Sequence, residues 1–256
     1  MRIRRRFAVI IALAAAGALA VAGIAYAATT STFSFKFSPS TAPKKTYKAG
    51  SLFTNLVTKY TNPGNAIPGG AVERTQIYLD KNFKINPSVT PKCSANQLSG
   101  QTMKGAMAAC SKALVGKGTA QATANGAFNV NGCVLLFNGK PVNNHPTLQV
   151  FTRVQASNPS RISCANPGSN TQGNTTILLV GELKPATGPY GKVLDVNHIT
   201  NAAAFPLTIF KTTIKKGNYI SARCNAADKT WRMQTTWTYN NNVKKTVKRT
   251  QPCVVG

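Results

Sequence analysis

Apolar and polar residues alternate along the last quarter of the chain. Four runs rich in β-branched and aromatic residues, at 206–214, 218–224, 229–239 and 243–250, are separated by turn sequences. In the third run, Trp231, Met233, Trp237 and Tyr239 fall on one face of an extended chain. A period of two is typical of a half-buried strand. The pattern therefore predicts an antiparallel C-terminal meander with both tryptophans in the core, the alternative being an exposed aromatic face that binds a ligand.

The same alternation recurs upstream, where Phe33, Phe35 and Phe37 share a face. Denser apolar runs at 133–137 and 176–180 suit strands that are covered on both faces. Asn- and Gly-rich turns separate these runs. The sequence predicts a mainly β fold, an antiparallel β-sandwich-like domain, as one domain over residues 28–256. Four tyrosines are better candidates for exposure than the tryptophans: Tyr47, Tyr60, Tyr190 and Tyr219.

Residues 94–115 depart from the alternation. Leu98, Met103, Met107, Cys110 and Leu114 recur at steps of three to five residues, with alanines between them. This spacing predicts one or two short helices, broken near the Ser-Gly pair at 99–100 and pinned by a bridge from the cysteine at 93 to that at 110.

The first 27 residues have the three parts of an export signal: arginines at 2 and 4–6, an apolar run from Phe7, and the ending Ala25-Tyr26-Ala27. We expect residues 1–27 to be removed, which leaves residues 28–256 as a secreted or cell-surface domain without a stable membrane span. The alternative is a retained anchor, because residues 7–28 are long enough for one helical span.

Six cysteines follow the predicted signal, and an even number in an exported chain predicts three disulfides. Fifteen connectivities are possible for six cysteines. We prefer sequential pairing, because one pair is local and because the second and fourth strands of a meander end at the same edge. The preferred pairs are Cys93–Cys110, Cys133–Cys164 and Cys224–Cys253. Metal binding is the alternative, but no pair has C-x-x-C spacing and the chain has two histidines. We predict neither a metal nor a cofactor.

Positive charge dominates the composition. Four of the 31 Lys and Arg residues precede residue 28, so 27 remain against five acids, a net charge of +22. Such an excess attracts polyanions at low salt. Lysine outnumbers arginine, which favours diffuse attraction to an anionic surface, because arginine is the residue suited to forked recognition of phosphates and bases. Lys244, Lys245, Lys248 and Arg249 are the candidate polyanion-binding residues, with anionic cell-wall polymers as the partner. The alternative is that lysines keep sheet edges unpaired and the protein soluble.

Catalytic chemistry has little support in the sequence. Asp195 and His198 could serve as an orienting acid and a base, but no G-x-S-x-G element places a serine beside them. In a strand, their three-residue spacing puts them on opposite faces. No nucleic-acid-binding motif is present, so no specific nucleic acid is predicted. We expect a binding or structural protein of the cell envelope, the alternative being an extracellular hydrolase whose site the sequence does not reveal.

Four segments carry a resemblance to known proteins: residues 91–93 (PKC), 110–118 (CSKALVGKG), 231–239 (WRMQTTWTY) and 251–253 (QPC). Together they resemble uncharacterised secreted, β-rich, cysteine-bridged proteins of high-GC Gram-positive bacteria. The resemblance implies a surface or secreted location and assigns no catalytic residue.

Overall fold

The structure is a computed structural model that describes residues 30–59, 72–124, 128–155, 164, 175–197, 207–239 and 242–256. The predicted export signal, Tyr60 and His198 lie outside the described residues. Strands in the first half of the chain are β1 Thr30–Ser38, β2 Thr41–Ala42, β3 Lys48–Ala49, β4 Ser51–Lys59, β5 Val72–Asp80, β6 Phe83–Ile85 and β7 Leu114–Ala124. The remaining strands are β8 Phe128–Val142, β9 His145–Gln155, β10 Thr175–Pro185, β11 Tyr190–Asn197, β12 Leu207–Ile214, β13 Ile220–Ala222, β14 Thr230–Tyr239, β15 Lys244–Pro252 and β16 Val254–Val255.

Eleven strands form one antiparallel sheet in the order β1-β4-β12-β7-β8-β9-β10-β11-β5-β14-β15. A second sheet has the order β3-β13-β6, and β16 pairs in parallel with β2. Alternate residues from distant strands of the large sheet, among them Leu52, Leu136, Leu194 and Trp237, line one shared interior. Opposite halves of the sheet therefore pack across a common core, which confirms the predicted mainly β, sandwich-like fold.

One end of this interior is closed by the three-stranded sheet. Ile220 and Ala222 of β13 are fully buried and pack with Phe37 and Trp231. The backbone of β13 is also tied to the large sheet, since Gly50 N donates to the Ile220 carbonyl at 3.2 Å. The strands that end at residues 59, 155 and 197 do so at the opposite end of the sheet, as the strand registers show.

The helical segment packs on the outer face of β8 and β9. Helix α1 (Ala95–Leu98) and helix α2 (Met103–Cys110) are separated at residues 99–102, where the sequence predicted a break. Leu98 and Met103 are buried against Leu135, Phe137 and Phe151. The Cys93–Cys110 disulfide closes the segment, as predicted. Neither described helix is long or apolar enough to cross a membrane.

All three preferred disulfides are present, and the described residues include no free cysteine. Cys133–Cys164 ties β8 to the described residue of the 156–174 connection. Cys224–Cys253 joins the chain after β13 to the chain after β15. Three disulfides indicate an oxidising, extracytoplasmic environment.

The C-terminal meander forms only over its last two strands. β14 and β15 pair antiparallel from Thr230 opposite Pro252 to Thr238 opposite Lys244. β12 instead lies between β4 and β7, and β13 lies between β3 and β6. The physical reason is burial: β12 fills a gap in the large sheet, where Phe210 and Ile214 face the shared interior.

The edges of the large sheet meet at a seam between β1 and β15, where no strand ladder forms among the described residues. One side chain joins the two edges. Gln251 of β15 accepts a hydrogen bond from Phe37 N at 2.6 Å and donates one to the Phe37 carbonyl at 2.9 Å. Further along, the Ser31 and Tyr239 hydroxyls are 2.9 Å apart. Side chains rather than a backbone ladder therefore close the sheet.

Candidate functional site

The predicted polyanion-binding residues all lie on β15, an edge strand of the large sheet. Lys245 and Arg249 are register partners of Trp237 and Met233, so they project toward the interior side of the seam. Lys244 and Lys248 project from the outer face of the sheet. Lys244, Lys248 and Arg249 are exposed, whereas Lys245 is half-buried. The structure thus places two cations on each face of one strand edge, rather than four on one face.

The outer face next to this edge holds four of the five acids. Asp195 and Glu182 contact Lys184, and Asp195 also pairs with Arg74. The other two acids, Asp80 and Asp228, pair with Arg232, at 3.7 and 2.6 Å. Within the described part of the chain, Lys244, Lys248 and Arg249 have no acidic partner within salt-bridge distance. The positive charge at the β15 edge is therefore not neutralised by these acids.

Asp195 is a structural anion. Its carboxylate receives two hydrogen bonds from Arg74, both at 2.7 Å, and one from Lys184 at 3.0 Å. Burial alone would raise the pKa of Asp195, but these bonds and charges outweigh it and hold the pKa below its ordinary value. At neutral pH, Asp195 is thus ionised and held by two cations. His198, the base considered with it in the sequence, lies outside the described residues.

Asp80 is also built into the fold. The Asn82 and Arg232 backbone N–H groups donate to its two oxygens at 2.8 and 2.9 Å. Burial raises its pKa, and those hydrogen bonds oppose the shift. Over the described ranges, no group of three His, Cys, Asp or Glu side chains is arranged to hold a metal ion.

The shared interior contains an apolar cavity of about 110 Å³. Its 23 lining residues come from β4, β5, β6, β8 to β12 and β14, and from Tyr219; they are mostly Leu, Ile and Val, and none is charged. The Thr54 and Thr212 hydroxyls, which also line the cavity, are 2.8 Å apart and satisfy one another. An unfilled cavity of this volume lowers stability by about 2–3 kcal/mol relative to a filled core.

Tyr219 is a further lining residue with a polar group, in addition to Thr54, Thr58, Thr75 and Thr212. It is 1% exposed, and its hydroxyl has no hydrogen-bond partner among the described residues. Its backbone is held on both sides, since Tyr219 N donates to the Lys216 carbonyl and Asn86 N donates to the Tyr219 carbonyl, each at 2.8 Å. The turn that fixes Tyr219 includes Gly217 at a φ of +45°, a conformation that glycine adopts without strain.

The prediction of Tyr219 as a surface residue is wrong. The alternation correctly placed it opposite Ile220, but both faces of this segment are covered: Ile220 packs in the aromatic core, and Tyr219 packs with Leu136 and Leu148. Among the other predicted surface tyrosines, Tyr47 is 39% exposed and Tyr190 is half-buried. Trp231, Met233, Trp237 and Tyr239 are all buried, as predicted. The cavity itself left no signal in the sequence, because its lining residues look like ordinary core positions.

Comparisons with protein families, with curated proteins and with solved structures find no match to this chain. The resemblance to secreted β-rich proteins stays a prediction.

Proposed function

We propose that this protein is exported and that residues 1–27 are removed on export. The remaining chain binds anionic polymers of the cell envelope along the edge of β15. The observation that carries the proposal is the position of Lys244, Lys248 and Arg249 on a strand edge, exposed and without an acidic partner among the described residues. Three disulfides support the extracytoplasmic location, because such bridges persist in oxidising compartments.

The spacing of these charges favours a polymer over a single small anion. Residues four positions apart on a strand are separated by about 13 Å, so Lys244 and Lys248 cannot share one phosphate. Lys245 and Arg249 repeat that spacing on the other face. A chain with repeated phosphate or carboxylate groups can contact several of these cations at once, and each contact raises the effective concentration of the next.

The chemistry of the contact is long-range attraction followed by exposed ion pairs. A net charge of +22 on residues 28–256 draws a polyanion to the surface, and the edge cations provide fixed positions for its charges. The Arg249 guanidinium donates to the Lys248 carbonyl at 2.9 Å, which holds it beside the strand. Because Lys244, Lys248 and Arg249 are exposed, salt should weaken the binding strongly.

The proposal is tested by replacing Lys244, Lys245, Lys248 and Arg249 together with glutamine and measuring affinity for a purified phosphate-bearing wall polymer. We expect affinity to fall roughly thirtyfold, because four surface contacts of about 0.5 kcal/mol each amount to about 2 kcal/mol. The matched control replaces Lys59, Lys104, Lys140 and Lys192, which are exposed and dispersed, and removes the same charge.

Two outcomes contradict the proposal. Equal losses in the two quadruple variants mean that total charge, not the β15 edge, attracts the polymer. Wild-type binding that does not change between low and high salt means that the contact is not electrostatic.

Light scattering of the β15 variant tests the alternative role of the lysines, since an edge strand without them is expected to self-associate.

A further inference from the structure

We propose that the outer face of the three-stranded sheet binds a phosphate group through Arg223 and Lys84, beside the exposed ring of Tyr47. We call these three residues the Tyr47 site. The choice of partner, a phosphate-bearing wall polymer, rests on the proposed function, but the residues are different ones, because none of the three lies on β15.

The strand order places the three side chains on the outer face of this sheet. Ile220 and Ala222 of β13 point into the core, so Arg223 points outward. Lys84 of β6 is exposed and faces the same way, since its register partner on β13 also points outward. Tyr47 immediately precedes β3, the strand on the other side of β13. The Tyr47 site is therefore built from three neighbouring segments.

The tyrosine ring holds the two cations together. Tyr47 is 39% exposed, the Arg223 guanidinium carbon lies 5.5 Å from its ring centroid, and Lys84 Nζ lies 5.8 Å from it. The face of an aromatic ring carries negative charge density and attracts cations at such distances. Two cations at one ring repel each other, and an anion that pairs with both removes this repulsion. The arrangement thus favours an anionic ligand.

Arg223 is held in a fixed position. Its Nε donates to Asn82 Oδ1 at 3.0 Å, and its backbone N donates to the Asn82 carbonyl at the same distance. Asn82 is 3% exposed and is itself bound, since its backbone N donates to Asp80 Oδ1 at 2.8 Å. Within the described part of the chain, the two terminal nitrogens of Arg223 form no hydrogen bond. They are therefore free to donate to two oxygens of one phosphate, a pairing that suits the planar guanidinium.

The charge around the Tyr47 site is positive. Lys44, Lys45 and Lys48 flank the tyrosine in the sequence and are exposed. In the described ranges, no acid lies within salt-bridge distance of these lysines or of the two cations of the site. A phosphate polymer can therefore place one group at the site and its neighbouring groups over these lysines.

Methyl phosphate is the probe for the site, because it carries a single phosphate group. It is titrated into the protein and followed by two-dimensional NMR of the backbone and arginine Nε–H groups. We expect it to shift the signals of Tyr47, Lys84 and Arg223 in the wild type. Lys84→Gln and Arg223→Lys should each lower the affinity about three- to fivefold, the first by loss of a charge and the second by loss of the guanidinium fork.

The site is then tested with the polymer. The double variant Lys84→Gln, Arg223→Gln should bind the phosphate-bearing wall polymer about tenfold more weakly than the wild type. The matched control, Lys104→Gln with Lys112→Gln, removes two exposed charges from α2 and the turn after it, and should keep the affinity within about twofold. Circular dichroism checks that the variants fold. Because Lys84 is exposed, Lys84→Gln alone serves if the double variant does not.

The proposal is overturned if methyl phosphate leaves the signals of the Tyr47 site unchanged, if Lys84→Gln and Arg223→Lys bind it as tightly as the wild type, or if the double variant binds the polymer as the control does. Failure of the proposed function gives a different result. The β15 quadruple variant then binds the polymer like its dispersed control, while methyl phosphate still shifts the signals of the Tyr47 site, because that variant changes no residue of the site.

Discussion

The Tyr219 hydroxyl weakens the unliganded fold. A buried donor without a partner loses its hydrogen bonds to water and gains none in return. We therefore predict that Tyr219→Phe stabilises the unliganded protein by about 1–2 kcal/mol in urea unfolding experiments. The ring stays in place, so the packing against Val115 and Leu148 is unchanged.

The control for this prediction is Tyr239→Phe, a second buried tyrosine with the opposite hydrogen-bonding state. Its hydroxyl lies 2.9 Å from that of Ser31, and removing it takes away this hydrogen bond of the buried Ser31 hydroxyl. Tyr239→Phe should destabilise the protein by about 1 kcal/mol. If both variants lose stability equally, the Tyr219 hydroxyl has a hydrogen-bond partner in solution. Residues of this kind, which reduce stability where they stand, are common at binding sites.

At the scale of single elements, β14 contributes most to the aromatic core. Trp231 is fully buried, its ring lies 5.1 Å from that of Phe37 and 5.7 Å from that of Phe83, and its indole N–H donates to the Arg223 carbonyl at 2.8 Å. We predict that Trp231→Ala lowers the free energy of unfolding by about 3–5 kcal/mol.

A matched substitution on the other face of β14 isolates the effect of burial. Thr238→Ala changes a half-buried residue and should change stability by less than about 1 kcal/mol. Chemical denaturation followed by far-ultraviolet circular dichroism measures both variants. Similar small losses at both positions would mean that the aromatic face of β14 is not packed in solution.

The facing of a strand could be predicted from the sequence, whereas the pairing between strands could not. The face of β14 was predictable because alternation is local: each residue two positions on points the same way. The partner of β12 was not, because its neighbours β4 and β7 are far away in sequence and compete with the nearer β13 and β14. The Cys224–Cys253 pair was predicted from a four-strand meander, yet it forms around a smaller hairpin and a separate short strand.

The β15 edge and the interior cavity also differ in how far the sequence predicts them. The basic residues of β15 were visible in the sequence because charge clustering needs no fold to be noticed. The cavity was not, because it depends on how side chains from nine strands fail to fill one volume.

Across the whole molecule, the face where acids and basic residues pair is distinct from the edge where basic residues have no acidic partner among the described residues. Four of the five acids gather on and beside the outer face of β5, β10, β11 and β14, where they pair with Arg74, Lys184 and Arg232. The β15 edge keeps its positive charge, and the interior holds no charged lining residue.

The odd number of strands in the large sheet has a consequence for its dynamics. In an all-antiparallel order of eleven strands, the first and last run in the same direction, so β1 and β15 cannot continue the antiparallel pattern across the seam. Phe37 turns its N–H and carbonyl toward β15, and Phe33 and Phe35 share that orientation because backbone groups alternate along a strand.

Amide hydrogen exchange should therefore show which backbone N–H groups of β1 have no partner strand across the seam. We predict that the Phe33 and Phe35 amides exchange faster than those of Ser34 and Lys36, which face β4, although both phenylalanine side chains are more buried than their neighbours. Phe37 should be protected, and Gln251→Ala should remove that protection without changing exchange in β8 or β9. Uniform protection along β1 would show that the sheet closes with a backbone ladder in solution. We therefore expect the large sheet to open first along the seam between β1 and β15.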